Sequence, residues 1–283
     1  MSINIDSKFI TLIGTPLSQS FAARMQNKAY AAMKLNLHYF YTEADSQNLE
    51  EIINGIRYMP SFIGCAITKP NKVAVMPYLD ELDPFCEKIG ACNTIVKKGN
   101  KLIGYNTDGY GFYQSLIENK IDIKKNSFFC FGAGGAGHAM CSILAYYGAP
   151  KIYISDLYQE SADSLVNKIN KNFAPVATAV PYQDFTKIQN CNVVLNASGI
   201  GMGKTIAESP LPEEYIQNNQ FYFDACYNPA KTKFLLNAEK KGCKILNGLM
   251  MSLYQGAEQI RLWTGKQAPI EAMRQELLDI ISE

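Results

Sequence analysis

Histidine is nearly missing. His38 and His138 are the only two in 283 residues, so a zinc site built on imidazole has little to draw on. The eight cysteines do not make up for it, because no two stand at C-x-x-C spacing; no metal is expected. Several cysteines fall inside apolar runs, where Cys acts as a small buried hydrophobe, and the usage fits a reducing compartment. Charge of one sign is missing too. Lys plus Arg number 27 and Asp plus Glu 26, which leaves no electrostatic footprint for nucleic acid. No apolar run reaches the ~18 residues of a membrane span, and Met1 to Lys8 lacks the basic-then-apolar order of a secretory leader. The expectation is a cytoplasmic monomer or homodimer with neither nucleic acid nor membrane as partner.

What is present is organised around residues 127–156. An apolar run, Phe128-Phe129-Cys130-Phe131, is short enough for a buried strand and leads into Gly132-Ala133-Gly134-Gly135-Ala136-Gly137. An Ala-rich helical stretch follows from about His138, with Gly148 placed to stop it. A second β-rich run, Ile152-Tyr153-Ile154, ends at Asp156, close to the ~20 residues after the glycines that a dinucleotide-binding unit requires. Each glycine has its own reason: Gly132 for the tight turn, Gly134 for backbone approach to a pyrophosphate, Gly137 for helix-on-strand packing. The helix start offers free N–H groups and the positive end of its dipole. Asp156 would accept hydrogen bonds from the adenosine ribose. Its charge would repel a 2′-phosphate, and Leu157 and Tyr158 follow where an Arg would be wanted, so NAD is expected over NADP.

On either side of this unit the pattern is α/β. Phe9–Ile13, His38–Tyr41 and Phe62–Ile67 read as strands, separated by helical segments at Phe21–Leu35 and Gln47–Met59, the second with Ser46 as its cap. A hairpin is expected across Lys98-Gly99-Asn100-Lys101. Further strands end at Ala197-Ser198-Gly199 and at Cys226-Tyr227-Asn228-Pro229, candidate walls for a nicotinamide because ligands in such sheets lie beyond the carboxyl ends. The expected division is a substrate domain of 1–108 plus 246–283 and a dinucleotide-binding domain of 109–245.

Oxidising an alcohol with a nicotinamide requires a group to take the hydroxyl proton. His38, in a strand, and His138, at the cofactor helix, are poorly placed. A lysine oriented by a carboxylate is the next candidate. Lys72 follows a strand end and a Thr-x-Pro turn; Asp108 sits in a tight Asn-Thr-Asp-Gly corner. On the residues alone, a surface charge is the plainer reading of each.

Five motifs in order nevertheless resemble the shikimate dehydrogenase family, with its quinate relatives, from about Gly14 to Ala257. They are Gly14-Thr15-Pro16 through Ser20 to Asn27; Thr68-x-Pro70-x-Lys72; Gly90-Ala91-Cys92-Asn93-Thr94 with Asn106-Thr107-Asp108-Gly109; the glycine loop; and Tyr227-Asn228-Pro229 with Thr232, Asn247-Gly248-Leu249 and Gln255. The resemblance implies a two-domain α/β fold, the N-terminal domain for substrate and a Rossmann-like C-terminal one, with a cleft between them. It implies Lys72 and Asp108 as the catalytic pair; Asn93, Thr68 and Gln255 on the ring hydroxyls; Ser20 on the carboxylate; Tyr227 beside the nicotinamide. Cofactor contacts would come from Gly132 to Gly137, Asp156, Ser198, Cys226 and Gly248. The implied reaction is reversible hydride transfer between 3-dehydroshikimate and shikimate, or on quinate-like ring acids. A sensor of the same fold, binding a ring acid or dinucleotide without turnover, is the alternative; retention of both Lys72 and Asp108 speaks against it. Departures from the family pattern are Ala22 for a second serine, Ala66 for an asparagine, Met250 for a glycine, and Asp156-Leu157-Tyr158 for the Asn-Arg-Thr of NADP members, which again points to NAD. Lys69 or Arg24 could replace a lost carboxylate contact.

Overall fold

A computed structural model describes residues 3–18 and 20–282. Its contacts divide the chain into two units, Met1–Gly111 with Leu253–Glu283, and Phe112–Ser252. The division falls inside the helices Asp108–Glu118 and Leu249–Thr264, a few residues beyond each boundary expected from sequence.

The first unit holds β1 (Lys8–Gly14), β2 (Leu37–Glu43), β3 (Phe62–Ile67), β4 (Glu81–Leu82), β5 (Thr94–Lys98) and β6 (Lys101–Tyr105). They form one sheet in the order β2-β1-β3-β5-β6-β4. β1 pairs parallel with β2 and β3, because helical crossovers join them. The tight Gly99-Asn100 turn, with Gly99 at φ 62°, makes β5 and β6 an antiparallel hairpin. The helix Leu49–Arg57 buries Leu49, Ile53 and Ile56, spaced on one face, against Ile13, Cys65, Ile67 and Ile95. Its cap is Asn48, without a side-chain bond, rather than the expected Ser46. The C-terminal segment returns to this unit. Trp263, on the helix Leu249–Thr264, lies over Gly64 and donates its indole N–H to Ile95 O at 2.9 Å. The last helix, Ile270–Ser282, packs on Ala22–Ala32.

The second unit holds β7 (Ser127–Phe131), β8 (Lys151–Ser155), β9 (Ala177–Ala179), β10 (Val193–Asn196), β11 (Phe221–Asp224) and β12 (Lys244–Asn247). The order is β12-β11-β10-β7-β8-β9, every pairing parallel. β7, which feeds the glycine loop, is central, and the strand order reverses beside it; this is the doubly wound arrangement whose crevice takes a ligand. Its residues Phe128, Phe129 and Cys130 are fully buried, as expected of a strand covered on both faces.

Two features went unread in the sequence. The short strands β4 and β9 are too brief for alternation to show. The helix Pro84–Ile89, by contrast, carries a full signal: the Asp83 carboxylate accepts from Phe85 N at 3.0 Å, Pro84 opens the helix, and Gly90 closes it at φ 71°.

One surface cluster gives a stability test. The Asp80 carboxylate accepts from Leu102 N at 2.7 Å and pairs with Arg57. The Leu102 N–H, then the Arg57 guanidinium, hold its carboxyl below the usual range. The unfolded chain therefore binds this proton more tightly, so the stabilisation is present above the unfolded value and is lost as pH falls through the folded one. Asp80 faces solvent, which screens the pair. Asp80→Asn is expected to lower stability by about 0.5–1 kcal/mol at neutral pH. In urea titrations that difference should shrink below about pH 4; a difference constant with pH would refute the assignment.

Candidate active site and dinucleotide loop

In the first unit, Thr68-Lys69-Pro70 carries the chain from β3 into a single helical turn, Asn71–Ala74. That turn is pinned twice. Cys92 N donates to Lys72 O at 2.7 Å, and the buried Asn71 side chain donates to Ala44 O at 2.9 Å. Asp108 opens the helix Asp108–Glu118, whose start is capped by Asn106 Oδ1 accepting from Gly109 N at 3.2 Å. Lys72 Nζ meets Asp108 Oδ2 at 2.6 Å, the two side chains 20% and 10% exposed. The other carboxylate oxygen accepts from Asn93 Nδ2 at 2.8 Å. Asn93 Nδ2 also reaches Thr107 Oγ1 at 3.0 Å and Gln255 Oε1 at 3.4 Å. A charge-assisted pair in partly dry surroundings is strong. It fixes the carboxylate while the three-donor lysine keeps capacity for an incoming hydroxyl.

Four of the residues singled out in the sequence, Lys72, Asp108, Asn93 and Gln255, thus meet in one network. Ser20 and Thr68 lie past the carboxyl ends of β1 and β3, without a direct hydrogen bond to that network among the described residues. Tyr41 holds the Ser20 segment, donating to Ser20 O at 2.6 Å and accepting from Ala23 N at 3.1 Å. Arg24 pairs through its Nε with Glu276 at 3.1 Å. Lys69 is exposed beside Thr68.

In the second unit the glycine loop is dictated by contacts. Gly132 has φ 100°, and a Cβ there would stand 2.6 Å from Ser198 N. A Cβ on Gly137 would strike Gly132 O, whereas one on Gly134 would point into open space. Gly134 precedes the helix Gly135–Tyr146 with no side chain capping it. Its N–H groups, together with Gly135 and Ala136, suit a pyrophosphate; the residues fit a dinucleotide. Ser198, Cys226 and Gly248 line up at neighbouring strand ends, Gly248 N donating to Cys226 O at 3.1 Å. Tyr227 follows Cys226.

Asp224 was passed over as one more strand residue. It is fully buried and accepts from Thr232 Oγ1 at 2.6 Å, Cys226 N at 2.9 Å and Asn196 Nδ2 at 3.0 Å; burial pushes its carboxyl up. The sequence signal is the ending of two apolar strands in polar residues, which register then sets side by side, Asn196 against Asp224. Asp224 therefore fixes the loops at the ends of β10 and β11.

A family model described as the shikimate dehydrogenase substrate binding domain matches residues 12–95, and one described as the shikimate 5'-dehydrogenase C-terminal domain matches 248–278. A shikimate dehydrogenase (NADP(+)) of Moorella thermoacetica is 35% identical over 276 residues, covering 96% of this chain and 93% of its own. The chain belongs to the shikimate dehydrogenase family. Among solved structures, shikimate 5-dehydrogenase of Listeria monocytogenes, in complex with shikimate and NAD, superposes with TM-score 0.91 at 33% identity, covering 98% of each chain. A shikimate dehydrogenase in complex with NADP+ gives 0.94 at 33%, covering 100% of this chain and 98% of its own.

These relatives correct the expected cofactor. The curated shikimate dehydrogenases similar to this chain are named for NADP(+), and the preference for NAD does not stand. Asp156, from which that preference was read, has backbone partners in the structure. Asp156 Oδ2 accepts from Ala133 N at 2.7 Å and Oδ1 from Tyr158 N at 2.9 Å. Both oxygens accept from backbone, so Asp156 also ties the glycine loop to the end of β8, a structural role that its charge alone does not announce.

The crowding at Gly132 makes a test. Gly132→Ala must clear a backbone nitrogen and hold a left-handed φ, and is expected to lower stability by about 1–3 kcal/mol. Dinucleotide affinity, read by fluorescence titration of the folded variant, should fall at least tenfold. Unchanged affinity would show that the loop does not need this conformation.

Proposed function

We propose that this shikimate dehydrogenase family member catalyses reversible, NADP(H)-linked oxidation of shikimate to 3-dehydroshikimate, with Lys72 moving the proton and Asp108 holding Lys72. The observation that carries the reading is the 2.6 Å contact of Lys72 Nζ with Asp108 Oδ2, braced by Asn93. The dinucleotide, when bound, supplies the hydride acceptor. In the oxidative direction Lys72 in its amine form takes the proton of the reacting ring hydroxyl, and the ammonium so formed returns it in the other. Asp108 keeps the lysine aimed and balances its charge. Asn93, Thr68 and Gln255 bind the remaining ring hydroxyls, Ser20 the carboxylate, and Tyr227 lies against the nicotinamide. Gly132 to Gly137 take the pyrophosphate, with Ser198, Cys226 and Gly248 around the rest of the cofactor. The first unit acts as the substrate domain and the second as the dinucleotide domain. The setting is aromatic amino acid biosynthesis in the cytoplasm.

Ala22 and Ala66 leave the ring-acid shell short of two polar contacts that the family pattern carries. Shikimate is favoured as substrate because the curated relatives are named for it; quinate is the discriminating competitor.

Initial rates at alkaline pH with shikimate or quinate, and with NADP+ or NAD+, test this directly. Lys72→Ala and Asp108→Asn are expected to lower kcat by about 10²–10⁴-fold, with KM for shikimate moving far less. A Lys72→Ala enzyme within a few-fold of wild type would remove the assignment. Faster turnover of quinate would transfer the substrate to the shell around Ala22 and Ala66.

A further inference from the structure

Asp108 terminates a second run of hydrogen bonds that starts two helices away. Gln26, on the helix Ala22–Ala32, donates from Nε2 to Gly256 O and to Gln259 Oε1, each at 3.2 Å. Gln259 Nε2 donates to Thr94 Oγ1 at 3.0 Å. Thr94 Oγ1 donates to Asn93 Oδ1 at 2.9 Å, and Asn93 Nδ2 to Asp108 Oδ1 at 2.8 Å. Gln26, Gln259, Thr94 and Asn93 are at most 3% exposed, so every link is out of water.

The direction of this run is set at both ends. A backbone carbonyl can only accept, so Gly256 O requires the NH₂ of Gln26. The same NH₂ requires the oxygen of Gln259, which leaves the Gln259 NH₂ facing Thr94. At the other end, Thr107 N donates to Asn93 Oδ1 at 2.7 Å and the Asp108 carboxylate accepts from Asn93 Nδ2. An amide turned over at any link would set like against like. Thr94 alone has a choice, because Thr107 Oγ1 lies 3.2 Å away as a rival acceptor. The Gln259 N–H fills a lone pair of the Thr94 oxygen and polarises its hydroxyl, whose proton goes to Asn93.

We propose that Gln259 is a positioning residue for the reaction, holding, through Thr94 and Asn93, the chain of donors that ends on Asp108. The proposal rests on the reading of Lys72 and Asp108 as the proton-transfer pair. Gln259 follows Gln255 by one helical turn, so the two amides share a face. Gln255 Oε1 takes the Asn93 and Thr107 donors from one side, and Gln259 feeds Thr94 behind them.

The test is steady-state turnover of shikimate with NADP+ by Gln259→Met, Thr94→Val, their double variant and Thr94→Ser, with melting temperature followed in parallel. In Gln259→Met and in Thr94→Val, kcat should fall about tenfold, equivalent to about 1.4 kcal/mol. KM for shikimate should stay within about twofold, since neither residue reaches a ligand. The double variant should fall no further than the lower single, because both break one run. Thr94→Ser, which restores the hydroxyl, should restore kcat. The proposal is overturned if Gln259→Met folds and keeps wild-type kcat, if the loss lies in KM, or if the two losses multiply as independent packing damage would. If Gln259→Met does not fold, equal kcat in Thr94→Val and Thr94→Ser overturns it alone. Lys72→Ala retaining turnover would instead undo the proton-transfer reading and this proposal with it.

Discussion

A lysine and an aspartate held 2.6 Å apart and largely out of water set the terms for the first unit. Withdrawing two charges from solvent costs several kcal/mol per ion, and mutual attraction offsets this only when the remaining lone pairs are satisfied. The surroundings of Asp108 meet that condition. One carboxylate oxygen takes the lysine and the other takes Asn93, which is oriented by the Thr107 N–H. The two residues arrive from different directions, Lys72 from the turn after β3 and Asp108 from the corner after β6. The hairpin β5–β6 lies between them in sequence. Its antiparallel pairing to β3 brings Asn93 beside both, which explains why an otherwise parallel sheet changes direction at this point.

The second unit answers a different requirement. On the proposed function it must let backbone, with no side chain intervening, face a pyrophosphate, and must hold that backbone still. Gly132 and Gly137 are the places where any Cβ would strike backbone; Gly134 is the place where nothing would. Asp156 and Asp224 then act alike at two strand ends. Each carboxylate is occupied by N–H or hydroxyl donors from the adjoining loop. Both acidic residues thereby tie their loops to the strand ends.

The architecture was largely legible because its signals are local. The glycine spacing, the apolar strands and the hairpin turn are each written within about ten residues, and β3, β8 and β11 fall where the periodicity puts them. The pairing of Lys72 with Asp108 was legible only through resemblance: nothing local distinguishes either from a surface charge, and the contact that distinguishes them joins residues 36 apart. Gln26 and Gln259 were illegible for the same reason, since buried amides on helices read as solvent-facing ones until packing is known. Asp156 was legible, but the NAD preference drawn from it does not stand. A carboxylate at that position announces its charge in the sequence but conceals which groups already occupy it.

The departures from the family pattern fall in one class and the retained groups in another. Asn93, Thr107 and Asp108 are buried and joined to one another, so losing any of them would leave a desolvated partner unpaired, at about 1–3 kcal/mol. Ala22 and Ala66 replace polar side chains whose expected partner is the ring acid. Their loss strands no buried protein group, because Ala22 begins a half-buried helix turn and Ala66 packs near the end of β3. Change at those positions is therefore inexpensive for the fold and felt only by the ligand. On the proposed function, that asymmetry puts the room for altered substrate choice in the shell around Ser20 and Thr68, while the Lys72–Asp108–Asn93 network stays tied to the stability of the unit that carries it.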